Sequence, residues 1–382
     1  RDLVRSRGLG DVYKRQMRMS VFAVRTDLAL EEGERIRESG VEIHGVILEE
    51  ETRPETGILV TRVKIETKNG AKIMGKPIGT YVTLEAGQLG NDEEEYQQEV
   101  AKELSMQLQK LIPDPETEKS VLVVGLGNPE ATPDALGPKV LEHLQATRHL
   151  AMEYGTDFCW KHGYPILSGI TPGVMAQTGM ETAEIVKGIV RETEPDAVIV
   201  VDALAARSAG RLGVTVQLAD TGIRPGSGVG NHRSGLTEET LGIPVFAIGI
   251  PMVVGAAAIV YDTVGAMTEM LRERVECGSG DEEKGTKKEK TKKEAIKTEE
   301  TEEDKETRKN GGKWTKEEPR RREEKRMIPE MLRVEEAFEL VKELLKPDLG
   351  PMYVTPHDID ERVDFLSYTI SEAIHGALFY NK

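Results

Sequence analysis

Two aspartates stand where an apolar strand gives out, each inside the same Asp-Ala-Leu phrase. Asp134-Ala135-Leu136 follows the run Val121-Leu122-Val123-Val124-Gly125-Leu126-Gly127-Asn128, and Asp202-Ala203-Leu204 follows Ala197-Val198-Ile199-Val200-Val201 directly. Both runs are apolar on every face, the composition of strands buried in a parallel sheet with helices on both sides. Chemistry in such sheets gathers at the carboxyl ends of the strands. Two carboxylates delivered to that edge are placed to share one proton and to activate water at neutral or mildly acidic pH. That is the chemistry of an aspartate-dependent hydrolase. The bland alternative is that each aspartate only caps a helix, since Thr132-Pro133-Asp134 offers a proline for the first helical position and an acid for the first turn.

Other chemistries have weaker footing. Asp220-Thr221-Gly222 is the triplet that carries the acid of pepsin-like proteases, but those folds are all-β and follow the glycine with Ser or Ala, where this chain has Ile223. Asp220 is therefore a third candidate acid, with a turn in which it caps local amides as the alternative. Gly125-Leu126-Gly127 begins like a dinucleotide fingerprint, yet Glu130 occupies the place of the third glycine and Pro133 intervenes. The opening Gly125 to Pro129 is similar to that of peptidyl-tRNA hydrolase, without a basic surface or a matching histidine pattern downstream. Ser227 lacks the glycine that a nucleophile elbow needs before it, and His232 beside the same loop reads as a surface residue.

A longer set of blocks points one way. Val123 to Asn128 with Thr132 to Lys139, Pro172 to Met175 with Thr178 to Thr182, Asp202 to Ser208, Asp220 to Ile223, Pro225 to Asn231 and Leu241 to Pro251 together resemble the germination (spore) protease family, in the family's order across most of Val21 to Thr263. Val24-Arg25-Thr26-Asp27-Leu28-Ala29 resembles the family's self-processing site, and Leu349-Gly350-Pro351 with Val354-Thr355-Pro356 its C-terminal segment. The resemblance implies an atypical aspartic endopeptidase that begins the degradation of small acid-soluble spore proteins. It implies a zymogen that removes its own propeptide between Asp27 and Leu28, a homo-oligomer (a tetramer), and a cytoplasmic location in the forespore or spore core. Carried over position by position, the family's proposed catalytic aspartates fall on Asp134 and Asp202. No cofactor and no metal is expected. The alternative is a metal-assisted endopeptidase of the hydrogenase-maturation type, which uses bound nickel to recognise substrate, with Asp134, Asp202 and a histidine as ligands. A second alternative is an acidic binding protein that has lost activity.

The chain also departs from the family. Its first sixteen residues, Arg1 to Gln16, have no helical period and no family likeness and resemble a translated adapter read-through, so a start at Met17 or Met19 is expected. In Pro251-Met252-Val253-Val254-Gly255, the family usually has Thr at the second position and Asp where Gly255 stands, so that aspartate is either dispensable or its loss alters activity. Between Asp281 and Arg326 the chain carries 17 Lys/Arg against 15 Asp/Glu, with Trp314 its only large aromatic residue. Such a segment cannot bury enough apolar surface to offset its ordering entropy, and disorder is expected.

Composition sets further bounds. The 382 residues are 38 % hydrophobic, enough for one large domain or two modest ones, and the formal net charge is −16. That charge argues against direct binding of nucleic acid. No apolar run approaches the roughly 20 residues needed to cross a bilayer. Cys159 and Cys277 lie far apart, so no disulfide framework is expected.

The elements that must position the aspartates follow from periodicity. Alternation over Val41 to Leu48 and Ile58 to Ile65 predicts antiparallel strands, with Asn69-Gly70 a turn into a third strand at Lys72-Ile73-Met74. Val100, Leu104, Leu108 and Leu111 share a stripe and predict a helix from about Glu93 to Leu111. Strands near Val121, Pro165 to Ile170, Ala197, Gly213 to Leu218 and Val245 to Ile250 alternate with helices near Leu136 to Leu150 and Glu181 to Glu192. The expected fold is α/β, an αβα sandwich with a mostly parallel sheet, like the hydrogenase-maturation endopeptidases, plus an appended β-rich subregion at about 41–84. The expected domains are an artefact at 1–16, a propeptide at 17–27, a catalytic domain at 28–276, a disordered charged insert at 277–330, and C-terminal helices at 331–382. In that last part Val334, Phe338, Leu340, Val341, Phe365, Ile370 and Ala373 are apolar enough to belong to the core.

Overall fold

Val121, Val123, Ile199 and Val201 face one core, while Leu122, Val124, Val198 and Val200 face another. Successive residues of a strand point to opposite faces, so these two strands are sealed on both sides. The chain is described here by a computed structural model, which covers residues 26–38, 44–87, 89, 94–113, 119–226, 234–260, 262–263, 266 and 352–379. Two units divide it, 1–259 with 348–382, and 260–347, and the described residues belong almost entirely to the first.

The strands are β1 (Val46–Thr52), β2 (Leu59–Ile65), β3 (Gly79–Glu85), β4 (Ser120–Gly125), β5 (Ile166–Ile170), β6 (Ala197–Ala206), β7 (Thr215–Ala219), β8 (Val245–Gly255) and β9 (Tyr353–Val354). The helices are α1 (Ala29–Glu38), α2 (Lys68–Met74), α3 (Glu94–Leu111), α4 (Leu136–His143), α5 (Arg148–Tyr154), α6 (Thr156–Lys161), α7 (Met175–Thr178), α8 (Thr182–Thr193), α9 (Glu238–Leu241) and α10 (Ile359–Leu378). These strands join one sheet in the order β1-β2-β3-β7-β8-β6-β4-β5, with β9 added to the end of β8. Helices α3, α4 and α10 cover one face and α8 and α9 the other.

The fold is α/β, and the expectation of a mostly parallel sheet is corrected. Parallel pairing joins β5, β4, β6 and β8, but β7 runs antiparallel to β8 and β3 antiparallel to β7. The sheet is therefore mixed. Strands β1 to β3 are continuous with it rather than an appendage, because β7 offers its second edge to β3 from Tyr81↔Ala219 to Glu85↔Thr215. Asn69-Gly70 is not a hairpin turn. Thr67 Oγ1 accepts from the Gly70 amide at 3.0 Å, an N-cap that turns the segment into α2, and the third strand begins only at Gly79. The helix expected to run to Leu150 stops at His143. Thr147 is drawn to the neighbouring strand instead, its amide donating to Leu167 O at 2.8 Å and its hydroxyl oxygen accepting from Leu167 N at 3.0 Å.

The α3 stripe is buried as its spacing predicts, with Val100, Leu104 and Leu108 in the core. It meets α10, where Val363, Leu366, Ile370 and Ile374 carry the opposing apolar face, and Gln97 Nε2 donates to Thr369 Oγ1 at 2.9 Å across the contact. Ile370 and Ala373 are core residues and Phe365 packs against them. Val334, Phe338, Leu340, Val341 and the charged insert lie outside the described residues. Since Ile370 is fully enclosed, Ile370→Ala removes buried methylenes and leaves a cavity, and equilibrium denaturation is expected to show a loss of about 2–5 kcal/mol.

Candidate active site

Strand β4 ends at Gly125, and the Leu126 amide still bonds Val201 O at 2.8 Å before the chain turns. Gly127 makes that turn at φ +119, where a Cβ would fall 1.8 Å from the carbonyl oxygen of Asp134. Only glycine fits such an approach. A 3-10 turn, Thr132–Asp134, follows with Pro133 inside it, and Asp134 Oδ2 accepts from the Asn128 amide at 2.8 Å. The carboxylate is thus held by the loop that precedes it. Helix α4 starts hard against the sheet, because a Cβ on Gly137 would lie 2.3 Å from Leu126 O.

Asp202 comes from the sheet itself. The strand expected to stop at Val201 continues to Ala206, and Asp202 sits within it opposite Gly249 of β8. No helix follows for it to cap. It is 6 % exposed, and with Asp134 it lines a cavity of about 300 Å³ whose wall also includes Gly127, Val253, Tyr353 and Asp27.

The presence of Asp27 in that wall follows from how the N-terminal segment is docked. The Asp27 amide donates to Ala205 O at 3.0 Å, and the Ala205 amide donates to Asp27 Oδ2 at 3.0 Å. The Asp27 carbonyl oxygen accepts from Lys76 Nζ at 2.8 Å and from Gln217 Nε2 at 3.2 Å, while Gln217 Oε1 accepts from the Ala29 amide at 2.6 Å. Leu28 is wholly buried among Leu204, Ala206, Leu212, Val254 and Ala258. Glu31, also buried, accepts from the amides of Arg207 (2.8 Å) and Ser208 (3.0 Å), and Thr26 Oγ1 donates to it as well. Loss of hydration lowers the pKa of Lys76 below the ordinary lysine value, against the opposing pull of the Asp27, Glu32 and Glu31 charges.

The remaining candidates are placed elsewhere. Asp220 accepts through Oδ1 from the amide of Thr80, at the start of β3, at 2.7 Å, a long-range bond rather than a local cap, and it is not among the residues lining the cavity. Ser227, His232 and Cys277 lie outside the described residues, and Cys159 is buried in the core. Among the described residues no histidine lines the cavity and no group of three His, Cys, Asp or Glu side chains is disposed to hold a metal ion. The residues described around the cavity therefore offer two acids of a nickel-type set without its imidazole. Lys76, Gln217 and Glu31 were not singled out by sequence reasoning, and no motif surrounds any of them. Only their convergence on Thr26 to Ala29 reveals them.

A mixed α/β sheet and the loop after β4 thus bring Asp202 and Asp134 to the wall of one cavity. A profile of the germination protease family matches residues 23–381. The chain belongs to the germination protease family and is a peptidase. It is 38 % identical over 362 residues to the germination protease of Caldanaerobacter subterraneus subsp. tengcongensis, covering 94 % of this chain and 95 % of that one. It is 37 % identical over 385 residues to that of Bacillus cytotoxicus, with 96 % of each covered, and 48 % identical over 262 residues to that of a Geobacillus species, covering 65 % of this chain and 68 % of the relative. No helix among the described residues is long and apolar enough to cross a membrane.

Gly255 ends β8 opposite Tyr353 and is not among the cavity-lining residues. A Cβ there would meet nothing within 4 Å, and the backbone is not left-handed. Glycine is thus not required by packing, and Gly255→Asp is expected to change unfolding free energy by no more than about 0.5 kcal/mol in a denaturant titration.

Proposed function

We propose that this peptidase is an aspartic-type endopeptidase, synthesised as a zymogen, that cleaves itself between Asp27 and Leu28 and then opens the degradation of small acid-soluble spore proteins in the spore core. The observation that carries the reading is the docking of Asp27 in the wall of the cavity that Asp134 and Asp202 also line. Asp27, on the N-terminal side of the bond proposed to be cut, lines the same space as the two acids. Residues 17–27 are the propeptide, and Asp27 takes up part of that cavity wall until it is removed. Family membership supports the spore-protein substrate, the homo-oligomeric assembly and the compartment. The net charge of −16 supports substrates met after they have left nucleic acid.

In this mechanism one aspartate is ionised and the other carries the proton the pair shares. The ionised partner takes a proton from water as its oxygen adds to the Asp27 carbonyl carbon. The protonated partner donates to the carbonyl oxygen, and proton transfer to the Leu28 nitrogen accompanies cleavage of the C–N bond. Either aspartate can fill either role. Asp134→Asn and Asp202→Asn are each expected to slow peptide cleavage by about 10²- to 10⁴-fold with unchanged circular dichroism, and near-normal turnover in either variant ends the assignment.

Processing has its own test. Mass spectrometry of the full chain held at mildly acidic pH is expected to show a new N-terminus at Leu28, and Asp27→Ala to suppress it. A chain fully active with residues 17–27 attached contradicts the zymogen.

A further inference from the structure

We infer that Lys76 and Gln217 are catalytic residues of this peptidase, forming the clamp that stabilises the oxyanion of the Asp27–Leu28 cleavage. The inference rests on reading that bond as the one cut. When water adds to a peptide carbonyl, the π pair moves onto the oxygen, and donors already aimed at that atom stabilise the transition state without reorganising. The Asp27 carbonyl oxygen has two such donors, Lys76 Nζ at 2.8 Å from the loop after α2 and Gln217 Nε2 at 3.2 Å from β7.

Each donor is constrained independently. Gln217 is buried, and its Oε1 is occupied by the Ala29 amide at 2.6 Å, so its NH₂ end is the one left for the carbonyl. The hydrogen bonds of the Lys76 ammonium go to main-chain carbonyls, Asp27 O and, at 3.4 Å, Thr26 O. With the charges of Asp27, Glu32 and Glu31 nearby, the cation is drawn out of water onto these carbonyls. Its lowered pKa has the same origin.

The clamp and the acids approach one residue from two cavities. Lys76 and Gln217 line a space of about 850 Å³, Asp134 and Asp202 the space of about 300 Å³, and among the described residues only Asp27 and Leu204 belong to both walls. Downstream of the bond, buried Leu28 and the amide-held Glu31 anchor the chain, so the carbonyl cannot swing away from its donors. Water supplies the hydroxyl that Asp27 gains, its proton passes to the ionised aspartate, and the Leu28 nitrogen leaves with the proton that the acid partner had shared with the carbonyl oxygen. The charge that passes through the carbonyl oxygen is the one Lys76 and Gln217 hold.

The test uses the full chain, timing the appearance of the Leu28 N-terminus by mass spectrometry and, in parallel, hydrogen exchange at the amides of Asp27 and Ala29. Lys76→Met and Gln217→Glu are expected to slow self-cleavage by about 10²- to 10³-fold, and Lys76→Arg, which keeps the cation, by less than about tenfold. In Lys76→Met the protection of the Asp27 amide is expected to persist, since Ala205 holds it. Gln217→Glu keeps shape and the Ala29 bond while removing the donor, so it stands in should Lys76→Met not fold. Self-cleavage at the unsubstituted rate in either variant, or a loss of rate that tracks loss of Asp27 protection, overturns the clamp. An unsubstituted chain that never cuts at Asp27–Leu28 overturns the functional reading and the clamp together.

Discussion

Strand β6 is buried along both faces between β4 and β8, and Val198, Ile199, Val200 and Val201 are each 0 % exposed. Each such side chain contributes about 1.5–3 kcal/mol by leaving water, so β6 is held firmly on both faces. That rigidity is what permits a carboxylate at Asp202. A buried acid is tolerated only where its surroundings are built for it, and a strand pinned on both sides gives it a fixed position opposite Gly249. Pairing with β4 ends at Gly125↔Val201, and β6 runs on without it through Asp202 to Ala206. The stretch beyond carries both the acid and Ala205, whose amide and carbonyl receive Asp27.

The N-terminal segment is held mainly by polar groups satisfied one for one. Main-chain amides of residues 205, 207 and 208 serve the carboxylates of Asp27 and Glu31, and Gln217 serves both a carbonyl and an amide. Hydrogen bonds to charged groups contribute about 1.5–3 kcal/mol apiece and fix geometry more tightly than apolar contact does. Burial of Leu28 adds depth without direction. A chain docked in this way is oriented as a substrate must be, its carbonyl turned to donors and its flanking side chain sunk in an apolar pocket.

Parts of this were legible in the chain. The β-branched runs at Val121 and Ala197 could only be two-face-buried strands, and the stripe Val100, Leu104, Leu108 could only be a helix packed on them. The repeated Asp-Ala-Leu step named Asp134 and Asp202 because a polar residue following a wholly apolar strand is rare enough to notice. Asn69-Gly70 misled because a local cap from Thr67 outweighed the turn preference of the pair. The direction of β7 was not readable, since a short apolar strand has the same pattern whichever way it runs.

The sequence by itself determined the periodic elements, the two acids and the likeness of Thr26-Asp27-Leu28-Ala29 to a processing site, because those signals are local: side-chain period, residue type and short-range order. Tertiary structure alone decided that the sheet is mixed, that Asp220 bonds the start of β3, and that Asp27 borders the cavity of Asp134 and Asp202. It alone brought Lys76 and Gln217, from a loop and a strand far apart in the chain, onto one carbonyl oxygen. Hydrogen bonds between residues separated by about fifty to nearly two hundred positions leave no periodic trace, because loop closure and packing, not neighbouring residues, set where such side chains end.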